Sequence, residues 1–137
     1  MKELRLEADP GNLTKLLSFV TAELEKKDCS PKAGMQIEMA LEEVFVNIAQ
    51  YAYDAGGGDV LVRVSFPGDE ASVEITFIDS GQPFNPLEKP DPDITLSAEE
   101  RQIGGLGIWL VKENMDLVQY RNENGKNILT IKRKLRD

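Results

Sequence analysis

Residues 41–53 read LEEVFVNIAQYAY, an apolar helical stretch that keeps Glu43 and Asn47 one turn apart. No Lys or Arg occurs between Lys32 and Arg63, so neither residue has a basic neighbour in sequence. At about 100° per residue, Ile37, Leu41, Val44, Ile48 and Ala55 form a core stripe. Phe45, Val46, Ala49 and Tyr53 extend apolar character much of the way round. Gln36, Glu43, Asn47, Gln50 and Asp54 share a sector roughly 60° wide. One reading is an ordinary solvated stripe, which normally includes Lys or Arg for i,i+4 support. The other is a ligand site. A carboxylate and an amide oxygen one turn apart suit a hard cation, and Mg²⁺ takes few protein ligands while keeping waters and substrate phosphates. Glu43 can alternatively take a proton or orient a nucleophile.

Working outward, Ser30-Pro31 reads as N-cap and first residue of this helix, which is expected to run to the breaker Gly56-Gly57-Gly58. Upstream, Leu13, Leu16, Leu17, Val20 and Leu24 recur at helical spacing after Asp9-Pro10-Gly11. Leu4, Leu6 and Ala8 alternate as a short opening strand. Downstream, Val60, Val62, Val64 and Phe66 alternate with Leu61, Arg63 and Ser65. Pro67-Gly68-Asp69-Glu70 forms a turn, and Val73, Ile75 and Phe77 alternate again, which makes a hairpin. A third helix starts at Gly104 to Gly107 and continues through Trp109, Val111 and Met115. A last hairpin turns at Asn124-Gly125, and the closing IKRKLRD reads as an edge strand kept soluble by lysines. The expected fold is α+β: a two-layer sandwich with three helices on one face of a mostly antiparallel sheet, spanning 1–137 as one domain. Residues 80–103 form a long loop holding four of the seven prolines, at 83, 86, 90 and 92. Loops of that length in compact domains are mostly functional or disordered; this one, between a strand end and a Gly-rich helix start, is expected to act as a lid, with a variable insertion as the other reading.

Composition narrows the chemistry. The 137 residues contain no histidine and one cysteine, Cys29. That excludes Ser-His-Asp and Cys-His nucleophiles, histidine metal sites, phosphohistidine relay, internal disulfides and multi-thiolate metal sites. Acid–base chemistry must rest on carboxylates, Lys or Tyr. With 24 acidic against 16 basic residues, the net charge is −8, which argues against nucleic acid as a direct partner. No apolar run approaches the ~20 residues of a membrane span, and the opening MKELRLEADP lacks a signal-peptide core. A cytoplasmic location and no membrane partner are expected.

Two further stretches bear on the glutamate–asparagine helix. FIDSGQPF places Asp79 just past a strand, where a carboxylate can accept a hydrogen bond from an exocyclic amine. Gly81 there would let a flat base approach the backbone closely. IGGLGIWLV puts Gly104, Gly105 and Gly107 at a helix start, where unpaired N–H groups and the dipole favour phosphate. Each is ordinary turn or cap chemistry when taken singly. Glu-x-x-x-Asn on a helix, Asp-x-Gly at a strand end, a long loop and Gly-Gly-x-Gly at a helix start, in that order, resemble the GHKL (Bergerat-fold) ATPase superfamily over about residues 10–135. The compact length and DSGQPFNP most resemble its anti-sigma factor serine-protein kinase branch.

The resemblance implies ATP or ADP and Mg²⁺ as ligands. By it, Glu43 polarises the attacking hydroxyl or water and Asn47 ligates Mg²⁺. Asp79 binds the adenine amine beside Gly81, and Gly105, Leu106 and Gly107 offer backbone N–H groups to phosphates. Thr130 is matched to a threonine that helps Asp79 hold adenine; a strand threonine chosen for β-propensity is the other reading. Many members carry a histidine four residues after the asparagine, where this chain has Tyr51. The implied activity is transfer of the ATP γ-phosphoryl group to a serine of a STAS-domain anti-anti-sigma protein, with a sigma factor as second partner and a homodimer as the suggested assembly. Histidine kinase activity fits poorly without a phosphoacceptor histidine. Two rivals remain: a nucleotide-gated binding module without phosphotransfer, and an interaction domain with a defunct pocket.

Overall fold

The computed structural model describes residues 1–53, 57–68, 71–88 and 105–137. Five strands, β1 (Lys2–Glu7), β2 (Asp59–Ser65), β3 (Ser72–Asp79), β4 (Leu117–Glu123) and β5 (Lys126–Lys134), form one antiparallel sheet in the order β1-β2-β3-β5-β4. Three helices accompany it: α1 (Leu13–Glu25), α2 (Pro31–Asn47) and α3 (Gly105–Asn114). This is the expected α+β sandwich. Strand alternation decides the faces. Val60, Val62 and Val64 of β2, Val73, Ile75 and Phe77 of β3, and Leu129 and Ile131 of β5 are buried, and with Leu16, Val20 and Leu24 of α1 and Ile37, Leu41 and Val44 of α2 they build the core.

Local chemistry sets the helix starts. Ser30 Oγ accepts from Ala33 N at 3.1 Å with Pro31 in the first turn of α2, satisfying one of the N–H groups that a helix start leaves unpaired. The closing hairpin turns through Asn124 (φ 54°) and Gly125 (φ 77°), both left-handed, the backbone that a two-residue type I′ turn requires.

Two expectations need correction. The helix expected to run to Gly56 leaves the α-form at Asn47 and continues as a π turn over Ile48–Ala52; Ala55 and Asp54 lie outside the described residues. The second concerns the basic C-terminal strand. β5 is not at an edge but between β3 and β4. Its lysines, Lys132 and Lys134, stand on the outer face of the sheet, while Arg133 is buried on the inner one. The edges are β1 and β4. The proposed lid, 80–103, falls outside the described residues beyond Glu88.

Candidate nucleotide and phosphotransfer site

Asp79 occupies the last inward position of β3, in register with Val73, Ile75 and Phe77. It is therefore a carboxylate in a core position, 4% exposed. Its Oδ1 accepts from Asn127 Nδ2 and from Gly81 N, both at 2.9 Å. No hydrogen bond reaches its Oδ2 from any described residue. Burial raises its pKa above the ordinary carboxylate value, against the lowering effect of the Asn127 and Gly81 bonds. A buried acceptor oxygen without a donor is costly unless a ligand supplies one.

The residue that meets Asp79 across the sheet is Asn127, its direct register partner, rather than Thr130. Thr130 lies on the opposite face, within 3.3 Å of Thr76 Oγ1, because three residues along a strand reverse the face. The expected Asp79–Thr130 pairing is thereby corrected. Asn127 is 4% exposed and saturated. Its Nδ2 also donates to Gln82 O at 2.9 Å, and its Oδ1 accepts from Phe84 N, Tyr120 Oη and Asn122 Nδ2. Sequence reasoning missed this residue. The available signal was parity with Leu129 and Ile131, which points it inward, but an asparagine two places after an Asn-Gly turn reads as turn chemistry.

Asp79 and Asn127 share a small cavity with Asn47, Ile48, Phe84 and Pro86. With Phe84 and Pro86 in place it measures about 20 Å³, room for one water rather than a purine ring. Admitting a base requires that segment to withdraw. The segment is anchored to the π turn: Gln82 N donates to Ala52 O (2.7 Å), Gln82 Nε2 to Tyr51 O (2.6 Å), and the Tyr51 and Phe84 rings stack at 4.9 Å. Gly81 belongs to this anchor. A Cβ there would collide with the Ala52 carbonyl, so what the glycine admits closely is the chain's own backbone.

One turn before Asn47, Glu43 is half-buried. Asn47 Nδ2 donates to Glu43 O at 2.7 Å and to Glu43 Oε1 at 3.1 Å. The carboxylate lies against α3, where a Cβ on Gly107 would collide with it. Gly105, Leu106 and Gly107 fall in the first turn of α3, where backbone N–H groups lack helical partners and the dipole favours negative charge. The Asn47 amide nitrogen donates to Glu43, and an amide oxygen is the kind of donor that a hard cation takes. No cluster of three or more Asp, Glu, His or Cys that could hold a metal exists among the described residues. Glu43, Gly107, Asn47 and Asp79 are thus brought along one side of α2, and Thr130 is not.

The family model for the histidine kinase-like ATPase domain matches residues 6–133. The serine-protein kinase RsbW of Bacillus thuringiensis is 31% identical over 100 residues, covering 70% of this chain and 61% of that protein. RsbW of Halalkalibacterium halodurans is 30% identical over 98 residues, 65% of this chain and 56% of that protein. The chain thus spans less than two thirds of the length of these relatives. The serine/threonine-protein kinase BtrW of Bordetella bronchiseptica is 22% identical over 74% of this chain and 71% of its own. Among solved structures, the RsbU and RsbW domains of a Mycobacterium tuberculosis protein superpose with a TM-score of 0.63 at 13% identity, covering 98% of this chain and 32% of that one. That likeness bears on fold. No helix among the described residues is long and apolar enough to cross a membrane. The matched span, the fold and the residues gathered along α2 agree: the chain belongs to the histidine kinase-like ATPase domain family, within the GHKL superfamily.

Proposed function

We propose that this chain is an ATP-dependent serine-protein kinase. Its acceptor is a STAS-domain anti-anti-sigma protein, and it regulates a sigma factor by binding. The observation that carries the reading is the order of groups along α2. A half-satisfied buried carboxylate stands at one end, Asn47 in the middle and Glu43 against a glycine-started helix at the other. That order matches a base, a metal-chelated phosphate chain and a reacting hydroxyl. Relatives called serine-protein kinases and serine/threonine-protein kinases support it.

In this reading Asp79 Oδ2 accepts the exocyclic N–H of adenine, and Asn127 holds the carboxylate in place. Asn47 holds Mg²⁺ through its amide oxygen; when bound, the ion neutralises phosphate charge. The N–H groups of Gly105, Leu106 and Gly107 receive phosphate oxygens. Glu43 accepts the proton of the acceptor serine as its Oγ bonds to the γ-phosphorus and the bond to the β–γ bridging oxygen breaks, leaving ADP. Positioning and charge neutralisation carry most of such chemistry.

Calorimetry with Mg·ADP and a phosphotransfer assay on a purified STAS-domain protein test this. Glu43→Ala should keep ADP affinity and lower transfer by roughly 10²–10⁴-fold. Nucleotide binding with no transfer by the wild type favours the nucleotide-gated module. Absence of nucleotide binding overturns both.

A further inference from the structure

Beside the base cavity, α2 borders a second hollow. A groove of about 230 Å³ runs between α2 and α3, lined among others by Gln36, Met39, Glu42, Glu43, Leu110 and Asn114. Glu43 lines this groove and Asn47 lines the base cavity, so the two hollows adjoin one turn apart. At 1.5 Å per residue, Asn47 lies about 6 Å to one side of Glu43, and Gln36 about 10 Å to the other.

Resting on the kinase reading, we propose that this groove seats the phosphoacceptor. A serine-bearing segment of the partner protein, apolar beside the serine and without acidic residues, enters from the N-terminal side of α2. In-line displacement requires the acceptor oxygen to arrive opposite the leaving group. Asp79 and Asn47 would hold a nucleotide on the Asn47 side of Glu43, which would leave the Gln36 side as the open approach for the acceptor. Two surface properties define the occupant. Met35 and Met39, one turn apart on α2, are 59% and 43% exposed, an adaptable apolar surface of the kind used at protein contacts. None of the described lining residues is basic, and Glu42 and Glu43 line the groove, so an acidic segment would be repelled and a neutral or basic one accepted. The far end is firm: Gln36 Oε1 accepts from Arg133 Nε at 2.9 Å and Nη2 at 2.5 Å.

The test is steady-state transfer from ATP to the STAS-domain protein that the wild type phosphorylates, using Met39→Lys and Glu42→Lys. Both positions are exposed and tolerate lysine in a helix. Met39→Lys should raise KM for the acceptor protein about tenfold or more and leave kcat within about twofold, with ADP affinity and Tm unchanged. Glu42→Lys should raise it severalfold. Unchanged KM in both variants overturns the groove while the kinase reading stands. Unchanged KM together with loss of a dimer in sedimentation assigns the groove to a second copy and also overturns it. If the wild type transfers nothing to STAS-domain proteins, the kinase reading fails and takes this inference with it.

Discussion

Two charged side chains are buried on the inner face of the same sheet, near opposite ends. Arg133 is 5% exposed and Asp79 is 4% exposed. Arg133 is satisfied by the chain itself: Nε and Nη2 by Gln36, Nη1 by Lys134 O, and Nη2 also by the exposed Asp137 at 3.4 Å. Asp79 is satisfied on one oxygen only. Burial alone does not separate a structural charge from a binding one. The distinction is whether the fold completes its hydrogen bonds.

Substitutions should divide accordingly. The largest effect is expected from Asp79→Asn. The amide keeps an oxygen for Asn127 and Gly81 but turns an N–H toward the adenine amine, so ADP affinity should fall by about 100-fold or more in calorimetry. Its Tm should hold or rise, because a buried ionised group is removed. Affinity retained in this variant would move the base elsewhere and erase the contrast. Arg133→Ala should do the reverse. It strands Gln36 Oε1 and Lys134 O, costs about 2 kcal/mol and lowers Tm by roughly 10 °C, with ADP affinity kept.

The smallest effect is the pH dependence. Because the folded pKa of Asp79 is raised, the native state binds more protons than the unfolded one between the two values. The Asp79 contribution to stability is then present below the unfolded pKa and is lost as pH rises through the folded one. Denaturant titrations of wild type against Asp79→Asn should show the wild type losing relative stability across that window. A flat difference would mean that the carboxylate is better solvated than its burial indicates.

Much of this was legible in advance. Period-2 runs in β2 and β3, the Ser30-Pro31 start and the Asn124-Gly125 turn are local signals, and each element formed where its chemistry points. The glutamate–asparagine spacing likewise placed two groups on one side of a helix. What failed depended on distant contacts. Lysines in IKRKLRD mark an exposed face as readily as an exposed edge, and insertion of β5 between β3 and β4 is a tertiary choice. The π turn is met by Gln82 and Phe84, over 30 positions downstream of α2's end. Gly81 was legible as a close-approach residue, yet the approaching group, Ala52 O, comes from another element. Thr130 is the exception, a local failure on parity, a rule that Ile131 beside it already supplied.

The Asp79–Asn127 bond joins positions 48 residues apart, and those residues face each other only once β5 is seated against β3 in its final register. A slip of one residue would turn Asp79 to the outer face and bring Ile78 inward. The hairpins close locally, but this pairing waits for the long-range closure that is slowest in antiparallel sheets. If Asp79 receives the base as proposed, nucleotide capture would follow assembly of the central sheet and not template it. On the kinase reading, bound ADP would hold together a completed domain, a brace fitted after the frame is up.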